Sequence, residues 1–314
     1  ETVDAAVCWE FVQSFFSRRD SDISELWHHA RMIPQDDLFP HKRPSFARVE
    51  ASPVFLPHCE DPRIVSMGLS AMEGPWVDRV GASEWPDYKR QVRKQYGDRV
   101  YAVLPRGMDA ACELADAVTT YLGRGCSVSD DDALWRASLE VADDLVIMQS
   151  DAQGIYRLMA ASLCSPSDWR LEDKLGKTMA EVHGPIPRLN ADIGPQIDRF
   201  FSRLPLDRFV QRFNWSLMPH SQYLSRDEWT LTASSDALWY RAERQSLRRL
   251  PATGAIAFTL RVHICPLAAL KQCDSALESL WAAVDAAPHD LRHYKGLDIL
   301  EPVIAKWRCE NHAK

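Results

Sequence analysis

The hydrophobic period of this chain changes twice in its middle third, and that change fixes the class of fold open to it. Leu145 to Gln149 is an apolar, partly β-branched run, and Ser150-Asp151-Ala152-Gln153-Gly154 follows with turn chemistry and a glycine able to take positive φ. Ile155 to Cys164 resumes as a second extended run, which predicts a hairpin. Helical material then occupies roughly Trp169 to Leu204, with a break at Gly184-Pro185-Ile186-Pro187. From Val210 to Leu217 the alternation returns, with Phe213, Trp215 and Leu217 pointing one way and Arg212, Asn214 and Ser216 the other. Residues 238 to 250 can also alternate, Pro251-Ala252-Thr253-Gly254 is a turn, and Ala255 to Ile264 is rich in strand-forming residues. Two strands, a helical block and three strands predict an α+β fold.

That order is the pattern of a PAS-like domain, a five-stranded antiparallel sheet with helices across one face and room for a ligand between the layers. The core is expected over residues 143–265, with an N-terminal arm and helical region over 1–142 and C-terminal helices over 266–314. In the first part, Phe11, Phe15 and Phe16 sit at helical spacing, and dense prolines from Met32 to Arg63 predict an extended, packed arm. Helices are predicted over Ala82 to Tyr96, Met108 to Leu122 and Asp130 to Ala142, and at the end over residues 266–286 and 298–309.

Charge and cysteine usage exclude several function classes. Lys plus Arg number 37 against 44 Asp plus Glu, a formal net charge of -7 with no concentrated basic face, so no nucleic-acid partner is expected. No run approaches the ~20 apolar residues of a membrane span. The chain starts at Glu1 without a basic-then-apolar leader, and a cytoplasmic protein is expected unless a leader or anchor has been removed. The eight cysteines are scattered without a CxxC pair, which fits neither a zinc ribbon nor an iron–sulfur cluster and reads most simply as reduced, mostly buried thiols.

Two features carry chemistry. The segment WRLEDKLGKTMAEVH, Trp169 to His183, reads as a helix ending at Gly184, with Pro185 and Pro187 stiffening the exit. His183 is then held at a fixed helix end, where its imidazole could ligate a haem iron or could simply interact with the terminal carbonyls. His289 and His293 could form a two-histidine metal face, but no third ligand is near in sequence. The second feature is a set of charged residues inside strand-like segments. If both segments lie in the sheet, Arg212 and Asn214 share a face, as do Arg241, Glu243, Gln245 and Arg249. Such a row on a covered face must either form an internal ion network or meet a charged ligand such as haem propionates, which arginine suits. If residues 238–250 form a helix instead, as the Arg244, Arg248 spacing allows, that assignment lapses.

Several segments together resemble the haem-dependent oxidative N-demethylase family, which includes the large subunit of dimethylamine monooxygenase and fungal relatives called HRQ proteins. They are Met67-Gly68-Leu69, Asp144-Leu145, Cys164-Ser165-Pro166-Ser167-Asp168-Trp169, Lys174-Leu175-Gly176-Lys177, His183-Gly184-Pro185-Ile186-Pro187, Arg212-Phe213-Asn214-Trp215, the run from Glu243 to Pro251 (ERQSLRRLP), and Tyr294-Lys295-Gly296. The resemblance implies a PAS-like haem b protein performing oxygen-dependent chemistry on an amine or other N-containing small molecule. It implies His183 as the iron ligand; with haem in place, the charged strands make Arg241, Arg244 and Arg249 candidate cofactor-binding residues, and Glu243, Arg212 and Asn214 candidate substrate or supporting contacts at the reaction site. Electrons would come from a separate NAD(P)H-dependent flavin and iron–sulfur reductase, because this chain has neither a dinucleotide fingerprint nor a ferredoxin cysteine pattern. The chain departs from the pattern at Arg188-Leu189-Asn190, where an aromatic is more usual, at Asp143-Asp144 in place of Glu-Asp, and over Ser221 to Asp236. Those departures bear on substrate. A non-catalytic haem or small-ligand sensor is the alternative.

Overall fold

The structure, a computed structural model, describes residues 49–61, 69–80, 84–125, 130–166, 170–183, 193–225 and 238–311. The opening helix and most of the proline-rich arm predicted from the sequence lie outside these residues. In chain order the elements are α1 (Pro57–Glu60), β1 (Ser70–Ala71), α2 (Trp85–Tyr96), β2 (Tyr101–Val103), α3 (Met108–Tyr121), α4 (Ala133–Ser138), β3 (Asp144–Ser150) and β4 (Tyr156–Ser162). Then come α5 (Met179–His183), α6 (Ile193–Arg203), β5 (Phe209–Met218), β6 (Trp239–Arg249), β7 (Ile256–Pro266), α7 (Ala276–Asp285), α8 (His289–Tyr294) and α9 (Leu297–Asn311).

The strands form one seven-stranded antiparallel sheet in the order β1-β5-β6-β7-β3-β4-β2. The five long strands are the five expected, and residues 238–250 are extended, not helical. β1 and β2 are additions, two and three residues long, that extend the sheet at both edges. The hairpin between β3 and β4 turns at Gly154, φ 79°, and Asp151 Oδ1 accepts from the Gln153 and Ile155 amides at 3.0 Å each. Between β6 and β7 the turn at Gly254 is held from α3, where Glu113 accepts from the Ala252 and Thr253 amides at 2.6 and 2.8 Å.

Helical material packs on both faces, a fuller cover than the one-sided layer expected. β3 is apolar from Leu145 to Met148 because both its faces are buried there. Leu145 and Ile147 join a core built by α2, α3 and α4 through Trp85, Val92, Leu114 and Leu134. Val146 and Met148 join a second core with Val182 of α5 and Phe201 of α6. A third core sets Trp215, Leu217 and Tyr240 against Leu280, Leu300, Ile304 and Trp307 of the C-terminal helices. No helix among the described residues is long and apolar enough to cross a membrane.

The continuous helix expected from Trp169 to His183 does not form. Leu171–Asp173 is a single 3-10 turn, and Gly176 takes φ 79°, which breaks helical geometry. Around that glycine the chain pairs with β4: the Gly176 amide donates to the Leu158 carbonyl at 2.7 Å and the Leu158 amide to the Lys177 carbonyl at 3.1 Å. The helix restarts only at α5, where Thr178 and Glu181 cap each other reciprocally.

Candidate functional site

Strand alternation sorts the side chains of β5 and β6 into two sets. In their register Arg212 lies opposite Gln245, Asn214 opposite Glu243 and Ser216 opposite Arg241. Arg212, Asn214, Arg241, Glu243, Gln245 and Arg249 therefore share one face. It is nearly dry: Arg212 and Arg241 are each 1% exposed, Glu243 2% and Gln245 0%.

Glu243 is the hub of this face. Its Oε1 accepts from Arg241 Nε at 2.8 Å, and its Oε2 from Gln245 Nε2 at 3.1 Å and Asn214 Nδ2 at 3.4 Å. The Arg241 guanidinium also donates to the carbonyls of Tyr223 and Ser165, so all three of its nitrogens are engaged. Arg249, at the far end of the same face, donates to the Ser202 carbonyl at 2.9 Å. Burial lowers the Arg212 guanidinium to about 10, against the opposing influence of Tyr294 and Glu243, and it stays charged at neutral pH.

Lys295 enters this cluster from outside the sheet. It caps the C-terminus of α8, and Gly296, at φ 67°, turns the chain into α9. Its Nζ donates to Asn214 Oδ1 at 2.7 Å and to the Trp215 carbonyl at 2.9 Å. The residue as a whole is half-buried, but its nitrogen is enclosed, and burial pushes the amine down to about 7, with Glu243 opposing and Arg212 adding to the shift. Two buried carboxylates on this face, Glu243 and, on β3, Asp144, thus meet three arginines, Arg212, Arg241 and Arg249, before the lysine is counted, so the face carries surplus positive charge. Gln245 Oε1 is buried and accepts no hydrogen bond among the described residues. Buried positive charge suits an anionic ligand such as a haem propionate, while the Gln245 oxygen can only accept from a donor.

Arg244 stands apart from the residues it was grouped with. By the same alternation its side chain is on the opposite face, 3.0 Å from Asp78 and 3.6 Å from Asp143. Arg261 joins it there, 2.8 Å from Asp78. Burial pushes the Asp78 carboxyl up, but Arg244 and Arg261 together hold it below its ordinary value. This second cluster is balanced, two arginines against two aspartates, and reads as architecture.

His183 is the last residue of α5; its imidazole and Gly184 to Pro187 lie outside the described residues. The backbone leading to it is firmly held. The Thr178–Glu181 cap fixes one end of α5, Val182 is fully buried, and the buried Lys174 ammonium donates to the Val182 carbonyl at the other end. Among the described residues no three His, Cys, Asp or Glu side chains converge as a metal site, and His293 instead lies 3.3 Å from Asp298. Lys295 and Lys174 were not singled out by periodicity. Their only signal in the sequence is membership of the Tyr294-Lys295-Gly296 and Lys174-Leu175-Gly176-Lys177 segments.

Fold and site together define an α+β protein whose central sheet carries a buried, charged polar face. A family model described as haem-dependent oxidative N-demethylase, alpha subunit-like, matches residues 125–305, more than half of the chain, and the protein belongs to that family. The match takes in every resembling segment except Met67-Gly68-Leu69.

Proposed function

We propose that this chain binds haem b and catalyses the oxygen-dependent oxidative demethylation of an amine or another N-containing small molecule. Membership of a haem-dependent family supports the cofactor, and the buried, positively charged face of β5 and β6 is the structural observation that carries the reading. Read from β4, the five long strands follow the order 2-1-5-4-3, which supports a PAS-like core over residues 143–265. His183 is the proposed iron ligand, delivered by the pinned end of α5. Arg212 and Arg249 would meet the propionates, with Arg241 adding its charge from behind Glu243. Arg244, committed to Asp78, has no part in this.

The net reaction on a methylamine takes one O2, two electrons and two protons, and gives the demethylated amine, formaldehyde and water. Bound haem would supply the oxygen activation. The electrons would come from a separate NAD(P)H-dependent flavin and iron–sulfur reductase. Asn214 and Glu243 would keep the polar face in a single hydrogen-bonded arrangement, so that the cofactor's carboxylates meet preset donors. The six described cysteines are all free thiols, in keeping with a cytoplasmic setting.

The test is the absorption spectrum of the purified protein, oxidised, reduced and reduced with CO, beside that of His183→Ala. The wild type should show a haem Soret band that responds to CO, and the variant should lose haem or change its ligand-field bands. Full turnover by a haem-free preparation, or an unaltered spectrum in His183→Ala, overturns the respective part of the proposal.

A further inference from the structure

The Lys295 amine has two protein acceptors, Asn214 Oδ1 and the Trp215 carbonyl. A neutral amine has two N–H donors and an ammonium three. Both contacts therefore survive in either protonation state, and the third proton can come and go without breaking a hydrogen bond.

Burial disfavours the charged form, and the neighbouring charges modulate how strongly. Facing the amine are Glu243 on β6 and Arg212 on β5, with Arg241 behind Glu243 and Tyr294 beside Arg212. In this dry site burial disfavours the ammonium, Arg212 adds to that, and Glu243 opposes both. A carboxylate docked beside Arg212 would cancel the surplus, and the ammonium would become the favoured form. A cationic alkylammonium would instead be repelled, so this face suits an anionic group of the cofactor better than the amine substrate.

We propose that capture of a carboxylate on this face is coupled to uptake of one proton by Lys295. The inference rests on the haem reading above, with a propionate as the carboxylate. By linkage the coupling runs both ways: the face binds its anion more tightly as pH falls through neutrality, and the bound anion holds the lysine charged. Lys295 is then a positioning residue. It fixes the Asn214 amide toward Glu243 in both forms, and in its charged form offers one additional donor to the ligand.

The experiment is calorimetric titration of the apoprotein with haemin at pH 8, in two buffers of different ionisation enthalpy, where a histidine ligand is already neutral. Haemin dimethyl ester, which has no carboxylates, is the second probe. Lys295→Met and Lys295→Arg are the variants, the arginine retaining donors and charge without titrating. The wild type should take up about one more proton per haemin than either variant. With the dimethyl ester that difference should vanish. Equal proton uptake in wild type and variants, or an undiminished difference with the ester, overturns the coupling while leaving the haem reading intact. Failure of haemin to bind the wild type at all overturns both. Should Lys295→Met fail to fold, by near-ultraviolet circular dichroism, the arginine variant decides alone.

Discussion

In Glu243→Gln the side chain keeps its length while one carboxylate oxygen becomes an amide nitrogen. Every group pointing at Glu243 is a donor: Arg241 Nε, Gln245 Nε2 and Asn214 Nδ2. The new NH2 faces a donor until the Gln245 amide turns its unused oxygen inward, and in either arrangement Arg241 loses the carboxylate that it pairs with. The side chains of Arg241 and Glu243 are 1% and 3% exposed, so water cannot make good the loss. Removing one partner of such a pair costs about 3–5 kcal/mol. With a urea slope of about 2–3 kcal/mol/M, the unfolding midpoint should drop by about 1–2 M with the slope unchanged. Tryptophan fluorescence follows the transition. Converting the pair together, Arg241→Met with Glu243→Leu, should recover most of the loss, because an apolar pair of similar volume leaves no orphaned charge. A Glu243→Gln midpoint within about 0.2 M of wild type would refute the reasoning, since Arg241 would then be stabilised without its carboxylate.

Lys295 gives a pH-dependent expectation that needs no cofactor. Its amine titrates at about 7 in the folded chain against an ordinary 10.5, so between those values the unfolded chain binds more protons and stability rises with pH; below 7 both states are protonated and the contribution is flat. The difference in urea midpoint between wild type and Lys295→Met should therefore shift in favour of wild type from pH 7 to pH 10, and a constant difference would contradict it. At Gly107, an added Cβ would lie 2.7 Å from Met159 Cβ and 2.9 Å from its carbonyl oxygen. Gly107→Ala should cost about 1–3 kcal/mol by overpacking, visible as a lower melting temperature, and a wild-type melt would refute it.

The five long strands are legible in the sequence because each is an alternating or continuously apolar run, rich in strand-forming residues or bounded by turn chemistry, over enough residues to be recognised. β1 and β2 are too short to carry any period, and only their partners β5 and β4 define them as strands. The segment before His183 misleads because its composition is helical while Gly176, at positive φ, and pairing with β4 decide its path. The shared face of Arg212, Asn214, Arg241, Glu243, Gln245 and Arg249 follows from alternation alone. The same alternation removes Arg244 from that group, whatever its residue type suggests. Lys295 is invisible to any local pattern: it lies 81 residues from the Asn214 amide that it holds. Contacts of that kind arise from how the C-terminal helices wrap the edge of β5, and no window of sequence contains them.

The two faces of β6 also settle how the sheet must be threaded. Arg241 finds its carboxylate within the strand, two residues on, while Arg244 finds its own across the chain at Asp78. Slide β6 by a single residue against its neighbours and every one of these side chains swaps sides, so that Arg244 enters the cluster around Asn214 while Glu243 is carried toward Asp78. A strand of leucines could tolerate such a slip; this one would bury like charges together. The ion pairs thus act as a key against any slip by an odd number of residues, and the pairing of β5, β6 and β7 is guarded by the penalty on that inversion.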